Sequence, residues 1–481
     1  MGVLSNVEPK EVLKWFELLS SVPHGSGNTK QISDLCVNFA KERNLEYYQD
    51  SLNNVIIIKE AAKGYENEPA LIIQGHMDMV CEKVEGSSHD FTKDGLTLIV
   101  EGDWLRADGT TLGGDDCIAL AMAMAILDDD TMGHPRIEAV FTVDEEVGME
   151  GAMGFDCSPL TGRAMLNLDS EEEGVLTVGC AGGMRADCMI PVERECRKLA
   201  GAKLVIGGLV GGHSGAEIDK GRANSNILLG RVLHALEAVA PICMVDMFGG
   251  RADNVITNQT EAVIAFDASD AEKLEAAAKE MAANFTKEYD PADPDIFVSF
   301  EAFETKEQCV VNAEGTKKII CALMCTPQGI FEMSQKLKGL VQTSLNMGVL
   351  RLTENAMTAG YSVRSSIRTQ KEMLGEKLKL LYESLGGSVS FRGAYPAWEF
   401  ADVSPLRDKV SAVFAEQYGH APEVVMTHGG LECGLFQEKM PGLDTVALGP
   451  DLIDIHSPKE RLYLPSLERT WKLVKAVVER K

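Results

Sequence analysis

The sequence has no apolar run long enough to span a bilayer, so a helical membrane protein is excluded. Its opening residues, Met-Gly-Val-Leu-Ser-Asn, carry neither a basic stretch nor an apolar one, and no signal peptide is predicted. Asn6 stands where a myristoylation signal needs Ser or Thr. Twelve cysteines are present without a single CxxC pair, which argues against a zinc ribbon or a thioredoxin-like motif. In a chain of this size they read as reduced, mostly buried thiols of a reducing compartment, and the expected location is the cytoplasm. Positive charge is scarce, with 46 Lys+Arg against 73 Asp+Glu and a net charge of −27. That balance repels phosphate backbones and anionic lipid, so neither nucleic acid nor a membrane is an expected partner. It suits cations, both metal ions and ammonium groups.

What is present fits a soluble globular chain, with 45% apolar and 25% charged residues. A length of 481 residues exceeds what one core usually holds, so two domains are expected. Residues 11–20 and 29–43 show helical periodicity, while Val55–Ile58, Leu71–Ile73, Ile137–Val143 and Ala164–Leu168 are short apolar runs of strand type. Ala119–Leu127 is apolar on nearly every face, as a helix buried against a sheet would be. The alternation predicts an α/β fold, a mostly parallel sheet flanked by helices. After about residue 186 the pattern becomes α+β around helices such as Ala223–Val239 and Ala271–Asn284. The end returns to strand–helix style, with Val446–Leu448 and Leu467–Arg480. The expected organisation is a discontinuous catalytic domain, 1–186 and 395–481, with an inserted α+β lid over 187–394.

Five segments carry chemistry, and four of them follow a predicted strand. They are Gln74-Gly-His76-Met-Asp78, Thr110-Thr-Leu-Gly-Gly-Asp115-Asp116, Asp144-Glu145-Glu146-Val-Gly148, Asn167-Leu-Asp169-Ser-Glu-Glu-Glu173, and Gly449-Pro450 followed by Ile455-His456-Ser-Pro458. Taken singly, an HxD or a pair of glutamates is usually surface decoration. Here acids and histidines recur just past the carboxyl ends of successive strands, the edge where open α/β sheets bind ligands. Two His with Asp and Glu, one carboxylate being free to bridge, form a donor set suited to two Zn²⁺ ions, with Mn²⁺ or Co²⁺ able to substitute.

These segments resemble those of the di-zinc peptidase superfamily that includes carnosinases, aminoacylases and carboxypeptidase G. The telling stretches are GHMDMV, HDFTKD, GTTLGGDD, EEVGMEGA, DSEEEG, GGHSGAEI, GAYPAW, GGLECGLF and IHSP, and they span essentially the whole chain. DSEEEG, GAYPAW and LECGLF point to its dipeptidase branch. The resemblance implies that His76 and Asp169 hold one zinc, Glu146 and His456 the other, and that Asp115 bridges both. It assigns Asp78 to orienting His76 and Glu145 to the general base, and it implies a cis peptide at Asp115–Asp116. From the lid, His213 of GGHSG would stabilise the oxyanion, while Asn254 and Arg364 would grip the substrate's terminal carboxylate, with backbone N–H groups of Gly429 and Gly430 as further donors. Small peptides are the implied substrates, Xaa-His dipeptides such as β-Ala-His among them, and a homodimer is left open.

Competing readings are an aminoacylase, tripeptidase or carboxypeptidase of the same superfamily, or a binding protein that has lost turnover. A two-carboxylate glycosidase built on Glu145 and Glu146 fits poorly, because adjacent residues do not flank one glycosidic bond at roughly 5–9 Å. Asp116 and Cys117 depart from the relatives' pattern without removing a ligand, and Cys433 near the presumed site reads as a buried thiol.

Overall fold

The computed structural model describes residues 2–481. It divides into two compact units, one formed by the chain up to Gly179 with Phe400–Met426 and Leu431–Lys481, the other by Cys180–Glu399 with Thr427–Gly430. The strand Gly182–Pro191 runs through the position expected to open the insert, and the short return at Thr427–Gly430 had no signal in the sequence.

The first unit is organised by an eight-stranded sheet in the order Glu46–Gln49, Val55–Lys59, Ile137–Thr142, Leu71–His76, Ala164–Asn167, Asp444–Ala447, Val175–Cys180, Glu423–Thr427. The central four strands run parallel, with Leu71 opposite both Ile137 and Ala164, and Asp444 opposite Ala164. Val55–Lys59 and Val175–Cys180 join them antiparallel. Leu71–His76 and Ile137–Thr142 are buried at every position, which is why they read as continuous apolar runs and not as alternation. Parallel direction brings their carboxyl ends to a single edge. The helix Gly114–Asp128, buried from Gly114 to Leu127, lies on the strand Leu71–His76. A Cβ on Gly75 would sit 2.5 Å from Ala119 Cβ and from Asp116 Oδ2, so helix and strand meet with no room for a side chain. A small antiparallel sheet of Leu98–Glu101, Trp104–Ala107, Arg461–Tyr463 and Leu452–Ile453 completes the unit. Its strands are too short to show a period.

The second unit is built on a nine-stranded sheet in the order Phe297–Val311, Arg194–Gly207, Thr260–Phe266, Ile242–Gly249, Val341–Leu352, Ala356–Ser365, Gly182–Pro191, Ser388–Tyr395, with Gly329–Met333 also paired to Val341–Leu352. Adjacent strands pair antiparallel. Helices Ser225–Val239, Ala271–Tyr289, Ala313–Cys325 and Arg368–Ser384 accompany it, and the unit has its own apolar core. The expectation of mostly buried thiols is corrected here. Cys36, Cys117, Cys180, Cys188, Cys243 and Cys433 are buried, Cys157 is half-buried, and Cys81, Cys196, Cys309, Cys321 and Cys325 are exposed. The last four lie on an exposed strand pair and an exposed helix end, where composition gives no warning.

Candidate metal centre

Strand ends supply most of this site. His76 closes the strand Leu71–His76, Glu145 and Glu146 follow Ile137–Thr142, Asp169 follows Ala164–Asn167, and His456 lies beyond Asp444–Ala447. Asp115 arrives from the start of the buried helix. Gly113 there adopts a left-handed conformation with φ 65°, and Asp115 (φ −80°, ψ 102°) leaves helical geometry. The Asp115–Asp116 peptide is cis.

The five expected ligands converge. Asp115 directs one carboxylate oxygen to each histidine, Oδ1 lying 3.1 Å from His76 Nε2 and Oδ2 lying 3.1 Å from His456 Nε2. His76 Nε2 is also 3.7 Å from Asp169 Oδ1, and His456 Nε2 is 3.0 Å from Glu146 Oε1. Asp115, Glu146 and His456 present donor atoms within 4.8 Å of one another, as do His76, Asp116 and Asp169, and His76, Glu145 and Glu146. Asp116, noted in the sequence only as a departure, thus joins the group.

The donor chemistry fits divalent cations. Each imidazole Nε2 faces two carboxylates, more than a single N–H can satisfy. Among the described residues no Lys or Arg forms an ion pair with Asp115, Asp116, Glu145, Glu146 or Asp169. Five acids gathered around two imidazoles leave more negative charge than the histidines can balance, which is costly unless the acids are protonated or bind a metal. Burial raises the carboxyl groups of Asp116 and Asp169 well above their usual range. Burial likewise raises Glu145, with Glu432, Glu146 and Asp115 adding to it against His76, to about 8. Hydrogen bonds to Asp115 and Glu146 push His456 up to about 10. His76 is raised too, because Asp115, Asp169 and Asp78 outweigh its burial. For Asp115 burial is outweighed by His456 and His76, which hold its carboxyl below its ordinary value.

Asp78 meets His76 through two of its atoms. His76 Nδ1 lies 2.9 Å from the main-chain carbonyl of Asp78, while the Asp78 carboxylate is 3.5 Å away. A carbonyl only accepts, so Nδ1 carries a hydrogen, and when the ring is neutral Nε2 is left as the nitrogen able to bind a cation. The buried Asp78 carboxylate also accepts from Ser26 Oγ at 2.8 Å and from the backbone N–H groups of Glu145 at 3.0 Å and Glu146 at 3.3 Å. It fixes the two glutamates as well as the histidine. His456 has φ 58° and Asp454 φ 56°, a left-handed backbone uncommon for residues other than glycine. Such conformations persist where the surroundings dictate them.

The expected substrate-binding residues all lie in the second unit. His213 is exposed, and its Nδ1 accepts from Ala216 N at 3.1 Å, so Nε2 carries the hydrogen. Burial and the Arg364 guanidinium lower its pKa. Arg364 donates from Nη1 to Tyr395 Oη and to the His428 carbonyl, both at 3.4 Å, and its Nε is buried without a partner. The Asn254 carbonyl accepts from Ser214 N at 2.8 Å, next to His213 in the chain. The Gly429 N–H is already donated to Thr427 Oγ1 at 3.0 Å, which corrects its expected availability; Gly430 N–H has no partner among the described residues.

The model of peptidase family M20/M25/M40 matches residues 72–480. This chain belongs to that family. It is 33% identical to the cytosol non-specific dipeptidase of Escherichia coli (strain K12), over 98% of each chain. The crystal structure of aminoacylhistidine dipeptidase from Vibrio alginolyticus is similar at a TM-score of 0.92 and 34% identity, covering 99% of this chain and 98% of that one. An aminopeptidase structure from Bacillus cereus shares the fold at a TM-score of 0.55 and 17% identity, with 98% of each chain covered.

As a member of this peptidase family the chain hydrolyses peptide bonds, and several residues that support its site carried no sequence signal. The buried Glu460 carboxylate accepts from four successive backbone N–H groups: Leu112 at 2.8 Å, Gly113 at 3.1 Å, Gly114 at 2.8 Å and Asp115 at 3.4 Å. It therefore holds the turn that delivers Asp115. Glu432 Oε2 accepts from Gln74 Nε2 and Thr142 Oγ1, both at 2.6 Å, and Gln74 Oε1 accepts from Asn167 Nδ2 at 2.6 Å. This network ties three adjacent strands together two or three residues before His76, Glu145 and Asp169. Glu460 lies more than 340 residues from its partners and the Glu432–Gln74 contact spans 358, so no local pattern could reveal either. His428 and Tyr395 beside Arg364 were likewise missed, although Tyr395 lies in the quoted GAYPAW stretch.

Proposed function

We propose that this family member is a cytoplasmic di-zinc dipeptidase that cleaves dipeptides with a free amino end, Xaa-His substrates such as β-Ala-His included. The reading rests on one observation above all: His76, Asp115, Glu146, Asp169 and His456 form one contiguous acidic group, buried at His76 and exposed at His456, with Glu145 beside it. His76 and Asp169 would hold one ion, Glu146 and His456 the other, and Asp115 has an oxygen for each. Two divalent cations held there acidify a water and polarise the scissile carbonyl. Glu145 takes the water's proton and delivers it to the leaving amine, a task that needs a carboxylate kept off the metal. Asp78 fixes both ends of this arrangement, His76 through its main chain and the Glu145–Glu146 backbone through its side chain.

His213 presents Nε2–H as a donor for the tetrahedral oxyanion, its Nδ1 being occupied by the Ala216 N–H. Arg364, with Asn254 and Gly430, supplies the receptor for the substrate's terminal carboxylate, and the unpartnered Nε of Arg364 leaves part of its fork available. The relatives in Escherichia coli and Vibrio alginolyticus carry dipeptidase names, which favours this reading over an aminoacylase, tripeptidase or carboxypeptidase. No helix is long and apolar enough to cross a membrane.

The test is to dialyse the protein against chelator, restore zinc, manganese or cobalt, and assay dipeptides, N-acetyl amino acids and tripeptides. Hydrolysis of free dipeptides should vanish with the metal and return with zinc. Activity that survives complete metal removal, or that prefers acylated or longer substrates, overturns the proposal.

A further inference from the structure

The longest strand pairing in the second unit joins Arg194–Gly207 to Phe297–Val311, the latter forming an edge of its sheet. In this antiparallel register Cys196 stands directly opposite Cys309. Opposed residues on antiparallel strands have Cα atoms about 4.5 or 5.5 Å apart, inside the span of about 4.4–6.8 Å that a disulfide bridges. Their side chains leave the same face of the pair, and the two Sγ atoms are 2.6 Å apart. Both residues are exposed, so small molecules have access. The nearest other thiol on this part of the sheet is Cys243, which is buried against Val310 and Ala265 and takes a 3.7 Å contact from Arg197 Nη1. It is occupied and shielded where Cys196 and Cys309 are open.

We propose that Cys196 and Cys309 are a reversible dithiol–disulfide modification site, oxidised by low-molecular-weight disulfides such as oxidised glutathione. The chemistry balances in two exchanges. One cysteine, as thiolate, attacks the small disulfide, forms a mixed disulfide and releases one thiol. The facing cysteine then attacks the protein sulfur of that mixed disulfide, forming the Cys196–Cys309 bond and releasing the second thiol. Two electrons and two protons pass to the oxidant. No strand has to move far, since register and facing direction are already those of the product. The hydrogen bond with Cys309 raises the Cys196 thiol above its ordinary range, so thiolate is scarce at neutral pH and exchange is faster in mildly alkaline buffer. The bond would close a loop of more than a hundred residues that contains most of the sheet's first half and the helices Ser225–Val239 and Ala271–Tyr289, and cross-links of that length restrict the unfolded chain most.

The test uses the whole metal-loaded protein. It is equilibrated with oxidised glutathione at mildly alkaline pH, free thiols are capped by alkylation, and the protein is digested without reductant and mapped by mass spectrometry. The expected product is a linked pair of peptides containing Cys196 and Cys309, lighter by two hydrogens than their sum and separated by dithiothreitol, with two of the twelve thiols lost. Cys309→Ser should stop the reaction at the first step, leaving a glutathione adduct on Cys196. If both cysteines remain open to alkylation while Cys81, Cys321 or Cys325 reacts, or if Cys196 links to Cys243, the proposal is overturned.

Discussion

Replacing Glu145 by Gln separates proton transfer from metal binding. The change keeps the size of the side chain and leaves the backbone N–H groups of residues 145 and 146 on the Asp78 carboxylate, so the loop should keep its place. The donor atoms assigned to the two ions, on His76, Asp115, Glu146, Asp169 and His456, are untouched. The amide cannot take a proton from water, and loss of a general base of this kind costs about 10²–10⁴ in rate. At 1.36 kcal/mol per decade that is roughly 2.7–5.4 kcal/mol of transition-state stabilisation. The fall should appear in kcat, because ground-state binding of the dipeptide does not use this proton. The assay pairs steady-state kinetics on β-Ala-His and a second dipeptide with metal content by plasma mass spectrometry. Two equivalents of zinc should remain while turnover falls. Zinc lost together with activity would make Glu145 a ligand, a role its place in one donor group with His76 and Glu146 would permit. Unchanged kcat would remove it from the chemistry altogether.

Glu460→Ala leaves three short backbone donors of the 112–115 turn buried without a partner, at about 1–3 kcal/mol each and less than additive, so a loss of about 2–4 kcal/mol in stability together with weaker zinc binding is expected from thermal denaturation and metal titration. His213→Ala should lower kcat by roughly 10²–10³ with KM little changed, as for other oxyanion donors, and a change confined to KM would exclude that role. Burial and Arg364 hold His428 down at about 4 in the fold, while the unfolded chain binds its proton near 6.5. The unfolded state then holds more protons between those values, so this stabilising contribution is complete above about pH 6.5 and is lost as pH falls towards 4, by on the order of 2–3 kcal/mol. Melting temperatures measured across that range should fall further for the protein than for His428→Gln as the pH is lowered from 7 to 4.

The sequence exposed His76, Glu145, Glu146 and Asp169 because each sits one to three residues past an apolar run, and such runs are legible without long-range information, whereas Asp115 opens a buried helix and His456 follows a loop. Ile137–Thr142 and Leu71–His76 were found in this way, and His76, Glu145 and Glu146 with them. Glu423–Thr427 and Pro405–Tyr418 went unannounced: the strand is half-exposed at a sheet edge, and the helix carries only four buried positions on a weakly amphipathic face. Asp78 meets His76 through both its main-chain carbonyl and its carboxylate, two contacts that an HxD spacing cannot tell apart. Glu460 escaped notice because an isolated glutamate in a sequence looks solvated, and Glu432, inside the quoted LECGLF stretch, was given no role because only the fold reveals that it is enclosed. The lid residues were legible through resemblance alone, and the hydrogen bond that occupies the Gly429 N–H depends on a threonine two residues earlier, which no spacing rule weighs.

The clamp formed by Glu460 on residues 112–115 has a consequence for biosynthesis. Both Glu460 and His456 follow the turn they meet by more than 340 residues. Until those residues have been synthesised, the turn bearing Asp115 lacks its anchor and the acidic group one of its imidazoles, so a nascent chain cannot assemble the full donor set.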